Sequence, residues 1–314
     1  MADPGQLEQA ILKLAGELLE ECQKTGSSIS RDARAILPQS GATIPLPLAE
    51  ALLRLLSQAS EARRAPMRYG FLGPLASFSH QATLAFAGPT VVLKPLPTIE
   101  EVFAEVEKGN LERGLVPVEN AIQGVETWTL DSFLSHEVAI VGEQRLEVHQ
   151  NLLGQGDLEA VKRVYSHPQA FAQARKWLAT HLPQAELVPV ASTAKGAELA
   201  ASEGEGAAIG NELAAAEYGL EILARSIEDI PGNATRFLVL AKPEVRVAAQ
   251  QPSEELKTSL VFATQHKPGA LFDSLKPFHD YGVNMTMIES RPTRNMAWTY
   301  VFFVDIEGDR KSVV

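Results

Sequence analysis

Small polar residues follow five of the short apolar runs that could form strands in this sequence. They are Ser77, Asn120, Ser166, Ser192 with Thr193, and Asn211. A single residue of this kind is explained by capping a helix. Ligands of open α/β sheets bind at the carboxyl ends of strands, and helix N-termini attract anions. Five such junctions together therefore predict a site for an anionic ligand.

A second cluster of candidate residues lies between Asp229 and Phe237, where a turn enters a strand. The Thr235 hydroxyl is a very weak acid, so it could act as an oriented hydrogen-bond donor. Arg236 is always cationic and suits either a carboxylate ligand or an ion pair at a strand end. Taken alone, the run also fits a plain turn with a strand-prone threonine.

The elements that must position these residues divide the chain into three parts. Residues 1–66 carry apolar side chains at helical spacing and predict a short helical segment. Residues 67–245 alternate short apolar strands with helices, which is typical of an α/β unit with a largely parallel sheet. The strands are predicted at 68–72, 90–94, 113–118, 138–148, 162–166, 186–191, 206–210 and 235–241. After a linker near 242–257, residues 256–314 predict the strand, helix, strand, strand order that begins a ferredoxin-like α+β unit.

Composition and net charge exclude several classes of function. The chain has 314 residues and a formal net charge of -11, and no basic stripe that would bind nucleic acid. Cys22 is the only cysteine, which excludes an internal disulfide and a thiolate metal cluster. No leader peptide or apolar stretch long enough to span a membrane is found, so a cytoplasmic location is expected.

The clusters resemble the motifs of the prephenate dehydratase family, in the same order. The matching runs are Gly73 to Ser79, Val116 to Asn120, Ser166 to Gln169 with Gln173, and Asn233 to Phe237. Ala76 replaces a glycine of the family pattern and Ala121 replaces a serine, which puts efficiency in doubt more than identity. The resemblance implies two α/β lobes around a cleft, as in periplasmic binding proteins. The chain is expected to cross between lobes near residues 147–153 and to return near 223–231.

The resemblance also implies an activity, the conversion of prephenate to phenylpyruvate with loss of water and CO2, without metal or cofactor. Thr235 would donate to the leaving hydroxyl and Arg236 would hold a carboxylate. Asn120 and Glu119 complete the expected catalytic group, with Glu119 orienting a neighbour or binding a proton. The candidate substrate contacts are Ser77, Ser166, Gln173, Ser192, Thr193, Asn211 and Phe237. His80 and His167 are expected to cap or pack.

The last part of the chain resembles the ACT domain that binds phenylalanine as a feedback inhibitor in this family. Its expected ligand-binding residues are Gly269, Ala270, Leu271, Glu289, Ser290, Arg291 and Pro292. The sequence ends at Val314, before the second helix and last strand of that unit, so impaired feedback control is expected.

Three alternatives to this function stay open. The first 66 residues weakly resemble a chorismate mutase domain, which would make a bifunctional enzyme, although an inactive remnant or a dimerisation helix fits them better. Arogenate could replace prephenate as substrate, and a small-molecule sensor without turnover would share the two-lobed fold. A homodimer or homotetramer is expected.

Overall fold

The computed structural model describes residues 66–245, 256–292 and 300–308. The predicted helical segment before residue 66 and most of the predicted linker lie outside these ranges. The longest helix within them has 11 residues, and none of the helices described could span a membrane.

The first lobe is built on a sheet with the strand order β2-β1-β3-β11-β5, and the short β4 pairs with β3. Strand β1 is parallel to β2 and β3, whereas β11 is antiparallel to both of its neighbours. The elements of this lobe are β1 (Arg68–Leu72), α1 (Phe78–Ala87), β2 (Val92–Leu96), α2 (Ile99–Lys108), β3 (Arg113–Asn120), β4 (Gly124–Val125), α3 (Thr127–Phe133), β5 (Ala139–Glu147) and β11 (Ala234–Ala241).

Helix α2 illustrates how the sequence specifies these elements. The Thr98 side chain caps its start by accepting from the Glu101 N–H at 3.1 Å. Gly109 ends the helix in the left-handed region, at φ 79°. One face of the helix is buried against the sheet through Ile99, Val102, Phe103 and Val106.

The second lobe is built on a sheet with the strand order β10-β6-β9-β7-β8. Its parallel strands β7, β8 and β9 alternate with helices, and β6 is antiparallel to β9 and β10. The elements are β6 (Asn151–Gly154), β7 (Arg163–Ser166), α4 (Pro168–Gln173), α5 (Arg175–His181), β8 (Glu186–Pro189), α6 (Thr193–Ser202), β9 (Gly206–Gly210), α7 (Glu212–Tyr218) and β10 (Glu221–Ala224), with a 3-10 turn at Leu158–Ala160.

The chain crosses between the two sheets after β5, within the predicted segment, and returns over residues 225–233, which end two residues beyond the predicted one. The expected two-lobed α/β unit is therefore confirmed. Strands β6 and β10 were not predicted, because they overlap the segments that were predicted to cross between the lobes. Strand β2 begins two residues later than predicted, at Val92.

The two crossing segments are tied together by His149 and Glu228. His149 Nδ1 lies 3.0 Å from Glu228 Oε1, and the Gln150 N–H donates to Glu228 Oε2 at 2.9 Å. The hydrogen bond to Glu228 raises the pKa of His149, with Glu147 adding a smaller contribution. The charge of this tie therefore depends on pH.

We expect this tie to make stability fall as pH rises. The folded pKa of His149 is raised, so its stabilisation is complete below the unfolded pKa of about 6.5 and is lost as pH rises through the folded pKa. The His149 side chain is 53% exposed, so the free energy of unfolding should fall by less than about 1 kcal/mol. Urea unfolding between pH 5.5 and 8.5 measures this fall in the free energy of unfolding. A His149→Gln variant should lack it, and identical pH profiles for both proteins would contradict the assignment.

The tail forms a three-stranded antiparallel sheet in the order β12-β14-β13. Its elements are β12 (Lys257–Ala263), α8 (Ala270–Asp280), β13 (Met285–Pro292) and β14 (Tyr300–Glu307), which confirms the predicted strand, helix, strand, strand order. Val301 and Phe303 of β14 share a buried core with Leu238 and Leu240 of β11. The tail sheet thus packs on the first lobe.

Candidate active site

A cavity of about 490 Å³ lies between the two lobes. The first lobe lines it with the start of α1, the end of β3, the β3–β4 turn and the start of β11. The second lobe lines it with α4 and the start of α6. Of the predicted site residues, the cavity brings together Ser77, Glu119, Asn120, Gln173, Ser192, Thr193, Thr235 and Phe237.

Asn120 holds the Thr235 hydroxyl in place at the centre of this group. The two residues face each other across β3 and β11, and Asn120 Nδ2 donates to Thr235 Oγ1 at 2.9 Å. The Asn120 amide is itself oriented, because its Oδ1 accepts the N–H groups of Ile122 and Gln123 at 3.0 and 3.1 Å. Thr235 Oγ1 is therefore an acceptor toward Asn120, and its own hydrogen remains for a ligand in the cavity.

Two ten-residue helices begin at the cavity wall. Ser77 caps α1 by accepting from the His80 N–H, and Ser192 caps α6 by accepting from the Lys195 N–H. The first residues of both helices, Phe78 and Thr193, also line the cavity. The first-turn N–H groups have no intrahelical acceptors, so both ends favour an anion. The two serines have the capping role as well as a position in the site.

The charge of the cavity wall is negative or neutral. Its titratable residues are Glu119, Glu126 and His167, and no Lys or Arg of the described ranges lines it. Glu119 Oε2 lies 3.8 Å from Arg236 Nη1, and no hydrogen bond joins the Glu119 carboxylate to Asn120 or Thr235 among the contacts described. Glu119 is thus paired with Arg236 and does not orient either residue directly.

Arg236 does not reach the cavity, which corrects the prediction that it holds a ligand carboxylate. Side chains alternate along a strand, so Arg236 is directed to the sheet face opposite Thr235. There Arg236 Nη2 donates to Asp305 of β14, whose side chain is 3% exposed, and Ser259 Oγ donates to the same carboxylate at 2.6 Å. Arg236 joins the first lobe to the tail.

Ser166 and Asn211 also lie away from the cavity lining, contrary to prediction. Ser166 is fully buried, and its hydroxyl donates to the Ile209 carbonyl at 2.9 Å. Asn211 is 1% exposed and caps α7 by accepting from the Ala214 N–H at 2.8 Å. Both side chains satisfy backbone groups within the second lobe. For Asn211 this is the helix capping that explains such a junction without a ligand.

The two histidines behave as expected. His80 stacks on Phe71 with ring centroids 5.0 Å apart, and its Nδ1 accepts from the Ala76 N–H. Burial lowers the pKa of His80. His167 caps α4 through Gln169. Ala76, where the family pattern has glycine, is fully buried with φ 61°, in the left-handed region that glycine occupies without strain.

Gln150 lines the cavity and was not predicted. It lies on the first crossing segment, is 3% exposed and donates from Nε2 to Gln173 Oε1 at 3.0 Å. Its own buried Oε1 has no hydrogen-bond partner among the residues described. The only sequence signal was a polar residue between two apolar strands, which does not identify a site. In the structure it is a free acceptor for a ligand donor.

The predicted ligand-binding residues of the tail are separated by strand alternation. Ala270 and Leu271 line a small cavity of about 140 Å³ with Tyr300 and Phe302. Arg291 instead makes two hydrogen bonds to Asp131 of α3, at 2.8 and 2.7 Å. Glu289 and Arg291 pair with Phe303 and Val301, whereas Ser290 and Pro292 pair with Phe302 and Tyr300, so the run is divided between two sheet faces. Gly269 starts α8 at φ 81° and does not line the small cavity.

A family model and a named relative both link this chain to one protein family. The family model described as "PDT: Prephenate dehydratase" matches residues 69–245. A protein of Stutzerimonas stutzeri named "Bifunctional chorismate mutase/prephenate dehydratase" is 44% identical over 259 residues, which are 82% of this chain and 70% of that protein.

Two solved structures are similar over most of the chain. The prephenate dehydratase of Arthrobacter aurescens in complex with L-Phe is 33% identical with a TM-score of 0.70, covering 77% of this chain and 80% of that one. A structure described as GqqA, "a novel type of quorum quenching acylases", is 30% identical with a TM-score of 0.70, covering 77% and 88%.

Proposed function

The chain belongs to the prephenate dehydratase family, and we propose that the interlobe cavity converts prephenate to phenylpyruvate. The bond between the ring and its carboxylate breaks, releasing CO2. The electron pair of that bond enters the ring, and the ring hydroxyl departs with the electron pair of its own C–O bond, taking a proton from solvent as it leaves to become water. Aromatisation of the ring drives the reaction, and the enzyme must assist a poor leaving group.

The observation that carries this proposal is the orientation of Thr235 by Asn120. The Asn120 amide occupies one lone pair of Thr235 Oγ1 from a distance of 2.9 Å. The Thr235 hydroxyl therefore presents its hydrogen to the cavity, where the departing oxygen develops negative charge. A donor that is oriented before reaction stabilises this charge without reorganisation.

The absence of Lys and Arg from the described cavity wall suits the loss of the ring carboxylate as CO2. A carboxylate that departs as CO2 loses its charge, so a strong ion pair with it would stabilise the reactant more than the transition state. Apolar residues such as Phe78, Val148 and Phe237 line the same space. Helix N-termini and neutral donors can bind this carboxylate without a full opposing charge.

The acylase relative suggests a different reaction, which the cavity does not favour. Attack by a hydroxyl nucleophile needs an adjacent base within hydrogen-bonding reach. No cavity hydroxyl in the described ranges is hydrogen-bonded to a histidine ring. His167, the cavity histidine, accepts from the Gln169 N–H instead.

The test is to incubate the full chain with prephenate and to follow the appearance of phenylpyruvate. Turnover supports the proposal. Binding of prephenate without product would favour a sensor, and faster turnover of arogenate would make that compound the substrate. Consumption of chorismate, supplied in place of prephenate, would reveal the bifunctional alternative.

Regulation by phenylalanine is a further proposal for this chain, supported by the L-Phe complex of the Arthrobacter relative. Ala270 and Leu271 line a cavity that could take part in such binding. Arg291 lies on the opposite face of the same sheet and links the tail to the first lobe through Asp131 of α3, the helix that follows the turn lining the interlobe cavity. The predicted oligomer and cytoplasmic location stay predictions.

A further inference from the structure

A second cavity of about 410 Å³ adjoins the interlobe cavity. The two share four lining residues, Gln123, Gln169, Gln173 and Asn233. Arg175 and Lys176, the first residues of α5, line the second cavity and do not line the first. Within the described ranges, a ligand that extends past the shared residues would move from a wall without Lys or Arg to one that carries two cations together with the carboxylates of Glu228 and Asp229.

The two cations of the second cavity are available for a ligand. Neither the Arg175 nor the Lys176 side chain forms an ion pair within the described part of the chain. The carboxylates nearby are already occupied: Glu228 accepts from His149 and the Gln150 N–H. Asp229 accepts the backbone N–H groups of Lys176 and Trp177, at 2.9 and 3.2 Å. Arg175 and Lys176 are therefore left to pair with an anionic group of a ligand.

The proposed substrate has two carboxylates with different fates. The ring carboxylate is lost, whereas the carboxylate of the pyruvyl side chain is unchanged in the product. Cations on the retained carboxylate stabilise reactant and transition state equally, and so provide binding without opposing the reaction. The cation-free cavity suits the first group and the Arg175 and Lys176 cavity suits the second.

Building on the proposed function, we propose that Arg175 and Lys176 bind the pyruvyl carboxylate of prephenate in the second cavity. The ring lies in the interlobe cavity beside Thr235. Arg175 and Lys176 are specificity-determining residues for a substrate with an acidic side chain, and they take no part in bond breaking.

The test compares Arg175→Gln, Lys176→Gln and the double variant with wild type in the phenylpyruvate assay. Each single change should raise KM about 10-fold, as expected for a charge-assisted hydrogen bond, and should leave kcat within about 2-fold. Inhibition by added phenylpyruvate should weaken in parallel, because the product keeps the same carboxylate. Lys162→Gln is the control, since it removes one charge from the same lobe at an exposed pair with Glu205, and its KM should not change.

An active wild type whose KM is unchanged in the double variant would overturn this subsite and leave the proposed function standing. A fall in kcat at unchanged KM, or an equal rise of KM in Lys162→Gln, would overturn it as well. If the wild type forms no phenylpyruvate, the proposed function fails. The subsite is then judged by calorimetric titration with prephenate: weaker binding by the double variant supports it, and equal binding overturns it.

Discussion

Thr235→Val is expected to lower kcat for phenylpyruvate formation by about 10²–10³-fold, the loss typical of removing one preorganised hydrogen-bond donor from a developing negative charge. Valine keeps the shape and the β-branched character of threonine, so β11 should stay paired with β3. Asn120 Nδ2 would still donate to Asn233 Oδ1, at 2.9 Å. The change therefore removes a donor from the cavity while the strand and its turn remain in place. Steady-state kinetics give the loss in kcat.

Thr235→Ser is the matched control, because it keeps the hydroxyl and should retain most of the activity. Unchanged melting temperature and unchanged prephenate affinity in Thr235→Val would locate the loss in the chemical step. A valine variant with near-normal kcat would mean that another group assists the leaving hydroxyl. In that case Thr235 would only shape the cavity.

The two-lobed fold was predictable because it depends on the spacing of apolar runs along the chain. Strands such as β1 and β9 are short, apolar and followed by polar capping residues, which is a local signal. The pairing of Asn120 with Thr235 was predictable only through the family motifs, since 115 residues separate the two. No local rule joins positions so far apart.

Which face of each strand meets the cavity was the part that the sequence could not supply. Thr235 and Arg236 are neighbours, yet strand alternation sends one to the cavity and the other to the tail. The position of the Arg236 side chain depends on its ion pair with Asp305, which lies 69 residues further along the chain. Likewise the distinction between Ser192, at the cavity, and Ser166, buried in the lobe, depends on how the lobes pack.

Arg236 and Asp305 provide the prediction with the largest expected effect on stability. Asp305 is 2% exposed, and the Arg236 side chain beside it is 12% exposed. Arg236→Met would leave a buried carboxylate without its cation, which typically costs about 3–5 kcal/mol. Such a loss is a large part of the roughly 5–15 kcal/mol that stabilises a domain. Urea unfolding of the full chain measures it.

The double variant Arg236→Met with Asp305→Leu should recover most of this loss, because replacing both members of a buried pair by apolar groups is often neutral. Lys257→Gln is a suitable control, since Lys257 Nζ lies 3.6 Å from Glu143 in the same charge cluster but is 35% exposed. It should cost less than about 1 kcal/mol. If Arg236→Met costs no more than Lys257→Gln, the tail is not held to the first lobe through this pair. The double variant restores packing but lacks the two charges beside β11. If it regains stability but not kcat, the charges of Arg236 and Asp305 also help to position Thr235.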